Sequence, residues 1–161
     1  QAMVSQVVVD PCWTVMLAYP NASQPGLAHL GPQWNVARST HHRISWMARE
    51  SSKPGRTTVE RWTVQANPQW SREHIDDTPE RVVAKLTKAF AEVTGIRAQP
   101  GHAVAHRWLY AQTRTPLGSS HLVDKRQGLG ICGDWCIGNR VENAFVSGLE
   151  LALVMAQPST T

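Results

Sequence analysis

The chain has 161 residues, 42% of them apolar and 17% charged, the composition of a globular domain, or a large piece of one, with enough apolar mass for a core. Its formal charge of +4 comes from Lys and Arg spread along the sequence rather than gathered into runs, so no nucleic acid is expected as partner. No stretch approaches the roughly 20 apolar residues of a membrane span, so no membrane is expected either, and three cysteines (Cys12, Cys132, Cys136) are too sparse for a disulfide framework and point to the cytoplasm.

Gln1-Ala2-Met3 leads directly into a strand-like stretch, Gln6 to Asp10, which reads as a chain entered midway. From Cys12 to Tyr19 a second strand puts Trp13, Val15, Leu17 and Tyr19 on one face, and Pro20-Asn21 ends it. Pro25-Gly26 and Gly31-Pro32 punctuate the connection to a strand over Arg43 to Arg49, in which Ile44, Trp46 and Ala48 share a face. A turn over Ser51 to Gly55 and a returning strand, Thr57 to Ala66, complete an antiparallel hairpin. Thr78 as N-cap, Pro79 at the first helical position, the stripe Val82, Val83, Leu86, Ala89, Phe90, Val93 and a closing Gly95 predict an amphipathic helix.

His102 to Tyr110 is predicted as a strand with His102, Val104, His106, Trp108 and Tyr110 on one side. After a polar loop, Gly128 to Cys132 reads as a short buried strand broken by Gly133-Asp134, and Glu142 to Ala156 as a second helix with a small-residue side of Ala144, Ser147, Gly148 and Ala152. Strands, helix, strands and helix in that order give an α+β architecture.

The chemistry concentrates between Gly128 and Ala152. A helix opening at Arg140-Val141-Glu142 collects unpaired N–H groups and the positive end of the dipole, which favours a negatively charged ligand. Asp134, leaving the strand at a turn made possible by Gly133, can accept hydrogen bonds from the hydroxyls of a sugar-like chain. The seven tryptophans suit the walls of a site for a flat ligand, although each also reads as a half-buried sheet residue. Cys132, Cys136 and the pair His41-His42 lack a fourth ligand at zinc-like spacing, and no metal is expected.

Ile131-Cys132-Gly133-Asp134-Trp135 with Gly138 to Ala144 and Ser147-Gly148 resembles the C-terminal flavin motif of renalase-like FAD oxidoreductases of the amine-oxidase superfamily. His106 to Ala111, Lys53-Pro54-Gly55-Arg56 and Gln69-Trp70-Ser71-Arg72 extend the resemblance over most of the chain. It implies an α+β fold in which residues 1–111 form a partial antiparallel substrate domain with packed helices. Residues 112–161 would be the C-terminal strand-turn-helix of a Rossmann-like FAD-binding domain whose N-terminal half is missing. No Gly-x-Gly-x-x-Gly with a downstream acid is present to hold the pyrophosphate.

The resemblance further implies FAD as cofactor, contacted by Gly133, Asp134, Arg140, Val141 and Glu142. The implied reaction is hydride transfer from a small amine or a reduced nicotinamide dinucleotide, with O2 as acceptor; the partner is the N-terminal half of the same protein, without which the fragment is expected to be inactive. Strand parity selects Trp108, Gln65 and Trp46 as substrate contacts, with Thr63, Ala48 and His106 beside them. The competing expectation is a non-enzymatic, basic, tryptophan-rich ligand-binding module.

Overall fold

The computed structural model describes residues 2–20, 34–56 and 59–157. They divide into two compact units, Pro11–Leu109 and Gln1–Asp10 with Tyr110–Thr161. The expected punctuation at Asn21, Pro25-Gly26 and Gly31-Pro32, and the expected strand start at Thr57, lie outside the described residues.

The Pro11–Leu109 unit is organised by a sheet in the order β2-β3-β4-β1-β5. Its strands are β1 (Val8–Tyr19), β2 (Val36–Arg38), β3 (Ile44–Arg49), β4 (Glu60–Ala66) and β5 (His102–Thr115). The two strands expected over Gln6–Asp10 and Cys12–Tyr19 are one, because Pro11 precedes the stretch Thr14–Tyr19 that pairs with β4, so its missing N–H interrupts no bond of that ladder. β3 and β4 form the expected antiparallel hairpin.

One face of this sheet is apolar. Trp13, Val15, Leu17 and Tyr19 of β1 and Trp62, Val64 and Ala66 of β4 are all buried, as the alternation of both strands dictates. Against them packs α2 (Pro79–Thr94), capped at its start by Thr78, whose hydroxyl accepts from the Arg81 N–H, and closed by Gly95 in the left-handed conformation (φ 78°). Val82, Leu86, Ala89 and Phe90 form its buried stripe; Val93, expected in the same stripe, is exposed because it lies past the end of the sheet-facing arc. The Gln69–Arg72 segment is helical: α1 (Pro68–Glu73) starts on Asn67, whose side chain accepts from the Gln69 N–H at 2.9 Å.

The expected face of β3 requires a correction. The register shifts between Ile44 and Trp46, a β-bulge that inserts Ser45 and breaks the period of two. Ile44 and Met47 therefore share the core, both fully buried, whereas Trp46 stands opposite Gln65 on the other face.

Tyr19 stacks on Phe90, with ring centroids 6.4 Å apart, and its hydroxyl is buried with no hydrogen-bond partner among the described residues. Burial pushes its pKa up to about 12. The folded chain thus favours the neutral phenol: this contribution is intact below the ordinary tyrosine value of about 10 and fades as pH rises toward 12, because the unfolded chain ionises first. Tyr19→Phe is expected to be at least as stable as the parent residue at neutral pH, since it removes an unsatisfied hydroxyl, and to lose less stability at about pH 11. Denaturant midpoints at the two pH values check both.

The second unit contains β6 (His121–Asp124) paired antiparallel with β7 (Leu129–Cys132), then α3 (Asp134–Ile137) and α4 (Val141–Met155). β6 lies where only a polar loop was expected. β7 is not the buried strand that was expected: all four of its residues are exposed, in a sheet of two strands only. Of the small-residue side predicted for α4, Ser147 is fully buried, but Ala144 and Ala152 are exposed and a side chain at Gly148 would meet open space. No described helix is long and apolar enough to cross a membrane.

Candidate functional site

The sheet of the Pro11–Leu109 unit turns its second face away from α2. Cross-strand pairing places Arg38 opposite Trp46, Trp46 opposite Gln65 and Gln65 opposite Thr14, a row across four strands. Directly opposite residues share a face, so all four side chains stand on the side away from the core. The next row is Val36, Ala48, Thr63 and Met16.

On β5, Ala103 and Ala105 pack against the apolar core. By alternation His102, Val104, His106 and Trp108 therefore project to the open face. His106 and Trp108 contact each other edge to face, with centroids 4.3 Å apart, and Trp108 is 53% exposed. The open face of one sheet thus receives Trp46, Gln65 and Trp108, the three residues read from the sequence as substrate contacts, along with Thr63, Ala48 and His106.

Thr14 and Arg38 were not among the expected contacts. Thr14 was legible from parity against Trp13 and Val15. Arg38 was not, because β2 has only three residues and carries no alternation of its own. Arg38 is exposed, and it makes no ion pair among the described residues. Glu50, which borders this face, is already committed: Lys53 sits at 2.5 Å and the Thr63 hydroxyl donates to it at 3.0 Å. The Lys53 bond holds the Glu50 carboxyl below its usual range, against the opposing effect of burial.

In the second unit, the Gly133-Asp134 turn is held from below. The Gly133 N–H donates to the Ser147 hydroxyl at 2.8 Å, and that hydroxyl donates in turn to the Ser120 carbonyl. A side chain at Gly133 would meet the Trp135 indole, and one at Gly138 the Asn143 amide, so the indole and the amide lie close over the two turns that bracket α3. Asp134 is exposed; one oxygen accepts from the Trp135 N–H at 2.9 Å, which leaves the other for a further donor.

At the start of α4, Arg140 occupies the N-cap without a side-chain hydrogen bond, and Val141 is 85% exposed. No N-cap side chain takes up the first N–H groups of that helix, and Glu142 is the acid in its first turn. Gly133, Asp134, Arg140, Val141 and Glu142 lie within ten positions of one another, on one strand-turn-helix segment.

Cys136 is buried, and burial pushes its thiol up despite the hydrogen bond to Ser147; burial likewise raises Cys12. Both are held protonated, which suits a packing role rather than a nucleophile. Cys132, expected to be buried, is exposed. Among the described residues no group of three or more His, Cys, Asp or Glu could hold a metal ion.

No family model matches the chain. Among solved structures, it is similar to the "Putative protoporphyrinogen oxidase" from Exiguobacterium sp. 255-15, with a TM-score of 0.55 over 74% of this chain. The likeness is one of fold. Sequence identity is 11%, and the chain spans 26% of that protein's length.

Proposed function

We propose that this chain is part of an FAD-dependent oxidoreductase of renalase-like or amine-oxidase-like type. The observation that carries the reading is the fold similarity to an oxidase over 74% of the chain, met by residues that fit a flavin and its substrate. In this reading Asp134 uses its spare oxygen to hold ribityl hydroxyls, and the uncapped N–H groups at the start of α4 favour the electron-rich edge of the ring system.

FAD, when bound, supplies the hydride acceptor; the two electrons pass on to O2, which leaves as hydrogen peroxide. The protein's own part is binding and orientation. Trp46, Gln65 and Trp108 present flat apolar area and an amide on the open sheet face, toward a small amine or a dihydronicotinamide such as a reduced nicotinamide dinucleotide. Three cysteines, all free, suit a cytoplasmic setting.

The reading includes a further segment of the same protein, an N-terminal half that carries the pyrophosphate loop. Supporting it is the surface of α4, where Val141, Phe145, Leu149 and Leu153 are 85%, 70%, 48% and 60% exposed. Apolar surface of this extent along one helix ordinarily marks a site of contact.

The test is the flavin content of the longer polypeptide in which this chain occurs. It should purify yellow, and Asp134→Ala should weaken flavin retention by about 1–3 kcal/mol, the cost of leaving hydroxyls without their acceptor in a buried site. A colourless protein that takes up no added FAD would sink the oxidase reading and leave the non-enzymatic ligand-binding module. Unchanged retention in the variant would remove Asp134 from the site.

A further inference from the structure

The geometry points to His41 as a proton-operated latch: in its neutral form it ties the turn between β2 and β3 to α2, and on taking up a proton it keeps α2 and releases the turn. The latch stands on this turn alone and is independent of the flavin and of what the open sheet face binds.

Two hydrogen bonds fix the state of the ring. The main-chain N–H of Arg43 donates to His41 Nδ1 at 3.1 Å. A peptide N–H can only donate, so Nδ1 must offer its lone pair and the proton of the neutral ring sits on Nε2. Nε2 lies 3.1 Å from Oε2 of Glu92, the acceptor which that tautomer needs. One imidazole thus bonds the turn at one edge and the last turn of α2 at the other.

The turn is built around that ring. The His41 N–H donates to the Ser39 hydroxyl at 3.0 Å, and the Ile44 N–H donates to the His41 carbonyl at 3.2 Å. Arg43 gives its N–H to the ring, and its carbonyl accepts from the N–H of Asn67 at 2.8 Å. Beyond the turn lies β2, an edge strand of only three residues, whose place in the sheet rests on a short ladder with β3 and on this turn.

A proton acts on the two edges of the ring with opposite sign. An imidazolium donates from both nitrogens, so Nδ1–H then faces the Arg43 N–H and that bond is lost. The bond from Nε2 to Glu92 becomes charge-assisted, about twice as strong as its neutral counterpart, and the C-terminal end of α2 favours a cation beside it. The ring therefore stays with the helix. Glu92, from α2, favours the proton. His42, stacked on His41 with centroids 4.4 Å apart, opposes a second charge, as do Arg43 in the turn and Lys88, one helical turn before Glu92.

The experiment follows the full chain, isotope-labelled with nitrogen-15, by NMR from about pH 8 to about pH 5, the interval in which histidine changes charge. At the upper end the His41 ring should show the Nε2–H tautomer. As that ring takes up its proton, the Arg43 amide should lose protection against hydrogen exchange by about 5- to 10-fold, after correction for the intrinsic pH dependence of exchange, the effect of one lost hydrogen bond. The amides of β2 should follow, while those of the ladder between β1 and β4 stay as they were.

Two variants separate the latch from general acid sensitivity. In His41→Asn the side-chain oxygen accepts from the N–H two residues on, as asparagine does in turns, and carries no titrating group, so Arg43 should stay protected at every pH. Glu92→Gln keeps an acceptor for Nε2–H without the charge and should move the Arg43 response to lower pH. An Nδ1–H tautomer at the upper end, Arg43 protection that does not change while His41 titrates, or an undiminished pH response in His41→Asn would each overturn the assignment. An Arg43 response at an unaltered pH in Glu92→Gln would do the same.

Discussion

Phe90→Ala is expected to destabilise the Pro11–Leu109 unit by about 3–5 kcal/mol, enough to leave a domain of ordinary stability largely unfolded near body temperature. Phe90 is fully buried at the centre of the apolar face, with Trp62 5.3 Å away edge to face and Tyr19 stacked on its other side. Truncation removes the transfer energy of a phenyl ring and leaves a cavity between two large aromatic side chains that cannot both collapse into it. Aromatic pairs add about 0.5–1.5 kcal/mol beyond burial, and this change breaks two of them. Urea denaturation followed by tryptophan fluorescence measures the loss. A midpoint within experimental error of the original would mean that α2 does not seat on the sheet as described.

Trp108→Ala is expected to do the opposite: little change in melting temperature and a fall on the order of a hundredfold in the rate of flavin reduction by substrate in the longer polypeptide. Trp108 is 53% exposed and contacts His106 on the open face, so the fold gains little from it. Should it wall the substrate site, as proposed, its loss lets the donor carbon drift, and misplacement of about an ångström costs about that factor. Anaerobic stopped flow isolates reduction from reoxidation. An unchanged rate with a lowered melting temperature would return Trp108 to the core.

The two variants separate what the sequence makes legible from what it hides. α2 was readable to within a residue, because Thr78, Pro79 and Gly95 mark its ends with side chains of specific capping chemistry and its apolar stripe keeps the helical period. β1 and β4 were readable because a sheet with one buried face enforces alternation. Asn67-Pro68 carried the same kind of start signal for α1, but six residues are too few to show a period. The exposure of Leu129 and Ile131 could not be read, since an apolar strand covered on both sides and one covered on a single side have the same composition. For the open face, Gln65 and Trp108 followed from parity, while Arg38 required the pairing of β2 with β3, a contact that no local pattern encodes.

The bulge at Ser45 ties the two faces of the sheet together. Its hydroxyl donates to the Ala66 carbonyl at 3.0 Å, which anchors the extra residue against the neighbouring strand. Pairing the strand without the bulge, with every residue kept, would set Trp46 opposite Val64 and turn it inward, where an indole would compete for the space that Met47 now fills. Open face and interior are therefore written in a single reading frame, and the strand cannot slip by one residue past Ser45 without rewriting both at once.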